Sequence, residues 1–275
     1  MTMSLIEKID KLDRRYIFLM LAILCFLPVL MPMGLPVPLS PATISSYQTM
    51  ENLEAGGILC MTFDYSGGTA AELYPQNVVI LKHALKKGLR AVAVSFSVGG
   101  LEMADMAFEE SGYTKSKVYG VDYVNLGFVS GSETGMSSFA KDIHGLIKTD
   151  ARGTPLDQIP LMNDVQNLKS FVYFAFTTST SQDMYVRQFS SQGVPVVGCI
   201  QSLYFSILEV YMGSGQIVGF LNGLRGTAEY EIMTGFLGIG AITMDQASIT
   251  HLYGVILLII GNIAFYFSRK KQGGK

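Results

Sequence analysis

Charged side chains are scarce in this sequence. Only 15% of its 275 residues are Asp, Glu, Lys or Arg, against roughly 25% in average globular proteins. The shortage is concentrated in two stretches that hold no charge, residues 16–50 and 247–268. A long uncharged run near each end is typical of a chain with a membrane segment at each end, and it argues against an ordinary soluble enzyme.

The motifs that carry common chemistry are also missing. Cys25, Cys60 and Cys199 lie far apart in the sequence, so they fit no zinc spacing or disulfide framework and are expected to be buried thiols. No HExxH, GxGxxG, GxxxxGK[ST] or GxSxG pattern occurs. We therefore predict no metal site, no cofactor and no catalytic residue, and a function other than that of an enzyme is favoured.

The basic residues predict how the chain crosses the membrane. Residues 1–15 and 269–275 hold four Lys or Arg residues each, which places both termini in the cytoplasm. Residues 16–34 and 247–268 are then transmembrane helices, although 16–34 also resembles a signal peptide and 247–268 a buried core helix. The proline-rich linker 35–50 and the segments after it lie outside the cytoplasm. Residues 16–268 carry a net charge of −7, which makes nucleic acid a poor partner.

Between the anchors, residues 51–231 alternate apolar runs of strand length with amphipathic runs of helix length. This alternation predicts an α/β domain, a Rossmann-like, doubly wound, mostly parallel sheet of about five strands. The expected strands are 57–65, 90–98, 122–129, 170–177 and 194–201, and the expected helices are 74–87, 101–111, 137–148, 181–191 and 204–230. Residues 149–168 break the rhythm and predict a long loop. Residues 232–246 form an apolar, glycine-rich segment that we expect at the membrane interface.

Ligands of doubly wound sheets bind beyond the carboxyl ends of the strands. The polar residues expected at that edge are Asp64 and Ser66 after the first strand, Thr178 and Ser179 after the fourth, and Ser202 after the fifth. They are the candidate ligand-binding residues. Ordinary turns and helix caps explain the same residues equally well or better.

A second group of residues predicts an interface with another subunit. Gly215, Gly219 and Gly223 recur every four residues and would form a bare stripe on a helix, against which another helix or the domain's own sheet packs closely. Arg225, Glu229 and Glu231 follow the stripe, and Asn262 is an amide within the second membrane segment, where it should seek a hydrogen bond from another helix.

Several segments together carry a resemblance. They are KLDRR, FDY, YGVDYVNLGF, GTPLDQIPLM, SGQIVGFLNGLRGTAEYE, DQASITHL and GNIAFYFSRK. In these the chain resembles a family of bacterial and archaeal membrane proteins with an N-terminal and a C-terminal transmembrane anchor and a central α/β domain. The resemblance implies that architecture and no substrate. Residues 65–68, Tyr-Ser-Gly-Gly, stand where that family carries a proline-containing turn.

Three functions remain open from the sequence. The favoured one is a non-enzymatic subunit of a membrane-anchored assembly, in contact with the lipid bilayer and with copies of itself or other membrane proteins. The alternative is an extracytoplasmic domain that binds a small molecule, in the manner of a sensor. The third is a serine hydrolase that uses Ser66 or Ser202 as its nucleophile.

Overall fold

A computed structural model describes residues 13–272 of the chain, and the side chains of residues 13–266. Three of the eight basic residues that set the predicted orientation, Lys8, Lys11 and Lys275, therefore lie outside the described residues. The chain divides into two compact units: residues 36–240 form one, and residues 1–35 together with 241–275 form the other.

The 36–240 unit is an α/β structure, as the sequence predicts. Its strands are β1 (Ile58–Thr62), β2 (Arg90–Ser95), β3 (Tyr123–Phe128), β4 (Tyr173–Thr178), β5 (Val196–Ile200) and β6 (Gly219–Asn222). Its α-helices are α2 (Pro41–Glu51), α3 (Gly67–Lys86), α4 (Leu101–Ser111), α5 (Tyr113–Ser116), α6 (Ser132–Lys141), α7 (Ile143–Leu146), α8 (Gln182–Phe189), α9 (Phe205–Gly213) and α10 (Gly223–Thr234). Short 3₁₀ turns occupy the long loop between α7 and β4.

The strands are apolar along their whole length because both faces of the sheet are covered. In β4, Phe174 and Phe176 point into a core on one face, and Tyr173 and Ala175 point into a second core on the other. All four side chains are fully buried. Burial on both faces removes the polar alternation of a half-exposed strand, which is why the apolar runs predict the positions of β1 to β5 correctly.

The sheet runs in the order β3-β2-β1-β4-β5-β6, and every neighbouring pair is parallel. The order reverses between β1 and β4, so the connections before and after this point cover opposite faces of the sheet. The expected count of about five strands misses β6. The single helix predicted over 204–230 is wrong, because the structure places α9, β6 and α10 there in succession.

The other unit contains two helices, α1 (Arg14–Leu30) and α11 (Ile239–Gln272). Within it the Gln246 amide donates to the Cys25 carbonyl, and the Tyr253 hydroxyl donates to the Ile17 carbonyl. These contacts run in opposite directions along the two segments, so the helices are antiparallel. In α11, residues 239–266 are long and apolar enough to cross a membrane. The 17 residues of α1 span only about 26 Å at 1.5 Å per residue.

Candidate functional site

The carboxyl edge of the sheet at the β1–β4 reversal is the place where doubly wound folds bind ligands. Asp64 follows β1 and Thr178 ends β4, and the two residues form a parallel bridge across the reversal. The Ser179 backbone N–H donates to the Asp64 carbonyl. The structure therefore brings together three of the five candidate ligand-binding residues, Asp64, Thr178 and Ser179.

The Asp64 side chain accepts hydrogen bonds from groups at the end of β2 and on α8. Its Oδ1 accepts hydrogen bonds from the Ser95 hydroxyl at 2.9 Å and from the Phe96 backbone N–H, both at the end of β2. Its Oδ2 accepts a hydrogen bond from the Tyr185 hydroxyl of α8 at 2.5 Å. Asp64 is only 4% exposed, so its carboxylate ties the ends of β1 and β2 to α8.

Burial governs the electrostatics of this cluster. It raises the pKa of the Asp64 carboxyl from 3.8 to about 6, although the hydrogen bonds from Tyr185, Ser95 and Phe96 each act to lower it. Burial, followed by the nearby Asp64 charge, raises the pKa of Tyr185 well above its ordinary value. Tyr185 therefore stays a hydrogen-bond donor at every physiological pH, and Asp64 takes up a proton in mild acid.

The same enclosure limits what Asp64 does chemically. A general acid or base has to come within hydrogen-bond reach of its substrate. Both oxygens of Asp64 are occupied by the protein's own donors, and Tyr185 is 2% exposed. A ligand at this edge would contact the exposed turn around Ser66, or Thr180 and its neighbours, rather than the carboxylate itself.

Ser66 and Ser202, the two serines considered as nucleophiles, form no hydrogen bond with the Asp64 carboxylate in the part of the chain that the structure describes. Ser66 precedes the first turn of α3 and makes no side-chain cap. The Ser202 hydroxyl donates to Glu72 Oε1 at 2.8 Å, and its backbone N–H donates to the same oxygen. A carboxylate partner without a histidine does not match the nucleophile–base pair of serine hydrolases.

The three interface glycines do not share a helix face, and the predicted stripe is wrong. Gly215 lies in a turn with φ +75°, Gly219 begins β6, and Gly223 begins α10 with φ +55°. A side chain at Gly219 would strike the Ala42 carbonyl and Ser46 of α2. Close packing within the unit therefore explains Gly219 and Gly223, whereas Gly215 has open space around it and is favoured by the positive φ of its turn.

The acidic residues after the glycines also have partners inside this unit. Glu229 is 1% exposed and accepts hydrogen bonds from the Ser40 backbone and hydroxyl and from Arg225. Glu231 accepts hydrogen bonds from the backbone N–H groups of Gly238 and Gly240. These carboxylates hold the chain segments that enter and leave the 36–240 unit.

An exposed apolar face on α9 is the surface that the sequence analysis missed. Ile207, 44% exposed, and Val210, 69% exposed, lie three residues apart on one face of α9, and Leu203, 70% exposed, lies in the 3₁₀ turn that precedes the helix. Within α9 only Leu208 is buried. The spacing of 203, 207 and 210 is visible in the sequence. The prediction of one continuous helix over 204–230 did not indicate which face of α9 the sheet leaves exposed.

Asn262 lies on α11 and is exposed among apolar neighbours. It has no hydrogen-bond partner within the described part of the chain. The expected hydrogen bond from another helix stays a prediction.

His83 contributes to the packing of the chain. His83 is 1% exposed; its Nε2 lies 2.7 Å from Glu51 Oε2 and its Nδ1 2.9 Å from the Tyr230 hydroxyl. Burial lowers the pKa of His83, and the hydrogen bond with His83 lowers the pKa of Glu51. A neutral ring that donates to Glu51 and accepts from Tyr230 satisfies all three groups and joins α2, α3 and α10.

Comparison with known proteins identifies no relative. No protein-family model matches the chain, no curated protein matches it, and no solved structure matches it. Within residues 13–272, no group of three or more His, Cys, Asp or Glu side chains is placed to hold a metal ion. The function therefore has to be argued from the chain's own geometry.

Proposed function

We propose that this chain is a non-enzymatic subunit of a membrane-anchored assembly whose α/β unit lies outside the cytoplasm. The observation that carries the proposal is the exposed apolar surface formed by Ile207 and Val210 on α9 and by Leu203 in the turn before it. Large aliphatic side chains grouped on one exposed helix face mark protein–protein contact sites. The enclosed Asp64 cluster supports a non-catalytic function, because both oxygens of its carboxylate accept hydrogen bonds from the protein's own donors.

The occupant that fits this face is a second copy of the chain. Leu203, Ile207 and Val210 offer no charge for an oppositely charged partner to recognise, and an apolar face pairs with its own copy across a two-fold axis. Membrane anchoring raises the effective concentration of copies near one another, so a modest apolar contact suffices. Asn262 on α11 gives a second point at which two copies gain a hydrogen bond within the membrane.

The antiparallel contact of α1 and α11 supports the two-pass topology. Two antiparallel helices with a connected domain between them put both chain ends on one side of the bilayer. The clusters of Lys and Arg at residues 1–15 and 269–275 assign that side to the cytoplasm. On this topology the 36–240 unit faces the opposite side.

A charged residue on the α9 face tests the proposal. We expect Val210→Asp to shift the full chain, purified in mild detergent, from dimers or larger oligomers toward monomers in native mass spectrometry. The control is Val118→Asp, at a site that is 60% exposed elsewhere on the same unit, and it should leave the assembly unchanged. An unchanged assembly in Val210→Asp, or a wild-type chain that is monomeric by itself, would overturn a second copy as the occupant.

A small-molecule-binding domain is the second candidate, and the reversal of strand order at β1 and β4 favours it. The exposed turn at Ser66 and the residues that follow Thr178 would supply the polar contacts. Thermal unfolding of the full chain in detergent, measured against a broad panel of metabolites, tests this function. A transition that none of them shifts would count heavily against it.

A further inference from the structure

A cleft of about 640 Å³ on the α/β unit is lined by two lysines and by the segment that leads into α11. Lys82 and Lys86 lie four residues apart on α3 and therefore share a helix face. Across the cleft lie Gly235, Phe236 and Leu237, which follow α10 and precede α11. The cleft combines positive charge with apolar surface.

The two lysines are available to a ligand. Neither forms an ion pair with any residue in the described part of the chain. Lys86 Nζ lies 5.5 Å from the centre of the Phe236 ring, so the aromatic ring holds it over the cleft. Glu110 and Glu231 line a smaller cavity that Lys82 also borders, but Glu110 accepts from the Tyr74 hydroxyl and Glu231 from two backbone N–H groups.

Chain connectivity limits the distance between Leu237, which lines the cleft, and the first residue of the apolar part of α11. Residues 239–266 of α11 number 28 and span about 42 Å at 1.5 Å per residue. That length matches a whole bilayer including both headgroup regions, which measures roughly 40–45 Å. Ile239 then lies at headgroup level, and Leu237 is only two residues away, at most about 7 Å of extended chain.

Phosphate groups occupy this depth of the bilayer, and lysines close to an anionic membrane surface attract them. The exposed side chains of Leu237 and Ile239, at 42% and 49%, suit the boundary between headgroups and acyl chains. We propose that the cleft of Lys82, Lys86 and Phe236 binds the phosphate headgroup of an anionic lipid. This inference needs α11 to cross the membrane but does not depend on the proposed self-assembly.

Lipid retention by the full chain tests the site. The protein is purified in mild detergent, mixed with equal amounts of phosphatidylglycerol and phosphatidylcholine, and examined by native mass spectrometry. We expect wild type to retain more phosphatidylglycerol than phosphatidylcholine. In the double variant Lys82→Gln, Lys86→Gln the ratio of the two bound lipids should fall roughly 10- to 30-fold. The variant Lys82→Arg, Lys86→Arg should keep it.

The matched control is Lys141→Gln with Lys169→Gln, which removes two exposed lysines elsewhere on the unit. Lys141 lies in the last turn of α6, as Lys86 does in α3, so the control also matches the loss of a cation at a helix end. Equal preference in the Lys82/Lys86 glutamine variant and wild type, or the same loss in the control, overturns the proposal.

Two further arms separate the possible sources of phosphate. Inorganic phosphate added at millimolar concentration should not displace phosphatidylglycerol, and displacement would reassign the cleft to a free phosphate. A photoreactive benzoylphenylalanine at position 236 should crosslink to phosphatidylglycerol in vesicles. This experiment tests lipid binding at the cleft even if the glutamine variant fails to fold. Crosslinking to protein alone would overturn the lipid site.

Discussion

Asp64 is a carboxylate that its own hydrogen-bond donors hold almost wholly out of water. Because burial raises its pKa to about 6, the folded chain binds a proton at this site more tightly than the unfolded chain, whose Asp titrates near 3.8. Folding is therefore penalised once Asp64 ionises. The penalty is absent below pH 4, grows between pH 4 and 6, and is complete above that range, at about 3 kcal/mol.

We predict that Asp64→Asn removes this pH dependence, since an amide stays neutral. The stability of wild type relative to Asp64→Asn should fall as the pH is raised from 4 to 7, measured by urea unfolding of the full chain in detergent. Asp157→Asn, at an exposed site, is the control for the loss of one aspartate. A constant difference between wild type and Asp64→Asn across this range would contradict the burial of the charge.

At the residue scale, the sequence predicts the position of Asp64 and not its surroundings. The end of an apolar strand places an aspartate at the carboxyl edge of a parallel sheet. Its partners Ser95 and Tyr185 come from elements 31 and 121 residues away, and nothing local in the sequence indicates that they meet there. The difference between an open ligand site and an enclosed carboxylate therefore appears only in the fold.

The element β6 shows why a glycine stands at position 219. Gly219 lies where the first strand residue passes under α2, and a Cβ there would meet the Ala42 carbonyl and Ser46. The backbone groups of α2 cannot rotate away from a new Cβ as a flexible side chain could. A side chain at position 219 would therefore push α2 and β6 apart.

We predict that Gly219→Ala destabilises the chain by roughly 1–3 kcal/mol through this overpacking. Gly213→Ala is the matched comparison, because Gly213 ends α9 with open space where a Cβ would stand. It should not lower stability. Thermal unfolding of both variants in detergent measures the effect, and equal transitions would show that α2 does not press on Gly219.

Strands covered on both faces were predictable as elements, whereas the region from 204 to 230 was not. Continuous apolar runs mark β1 to β5, and residues 101–111 are predicted and observed as the same helix, α4. In 204–230 a four-residue strand lies between two helices, and its apolar Phe220 and Leu221 fit a helical period equally well. A strand that short carries too few residues for its period to be told from that of a helix.

At the scale of the whole molecule, the proposed topology places one surface of the 36–240 unit in reach of external reagents. We predict that Lys169→Cys reacts with a membrane-impermeant maleimide on intact cells, because residue 169 is exposed on that unit. Cys60 and Cys199 are buried and give little background.

A cysteine in place of Lys275 serves as the opposite marker. It should react only after the cells are lysed, since the proposed topology puts the C-terminus inside. Labelling of position 169 only after lysis, or of position 275 on intact cells, would contradict the assigned sides of the membrane.

The hydrogen bonds of Asp245 depend on backbone groups of residues 33–35 and not on their side chains. Its carboxylate accepts from the backbone N–H groups of Met33, Gly34 and Leu35 at 2.8–2.9 Å. The three donors are backbone groups, so alanine at position 33 or 35 leaves all three hydrogen bonds in place, whereas Gly34, with φ +58°, favours glycine. A proline at position 33 or 35 removes the one N–H of its own position, and such a substitution weakens the link between the end of α1 and α11 that an alanine scan of these two positions would not detect.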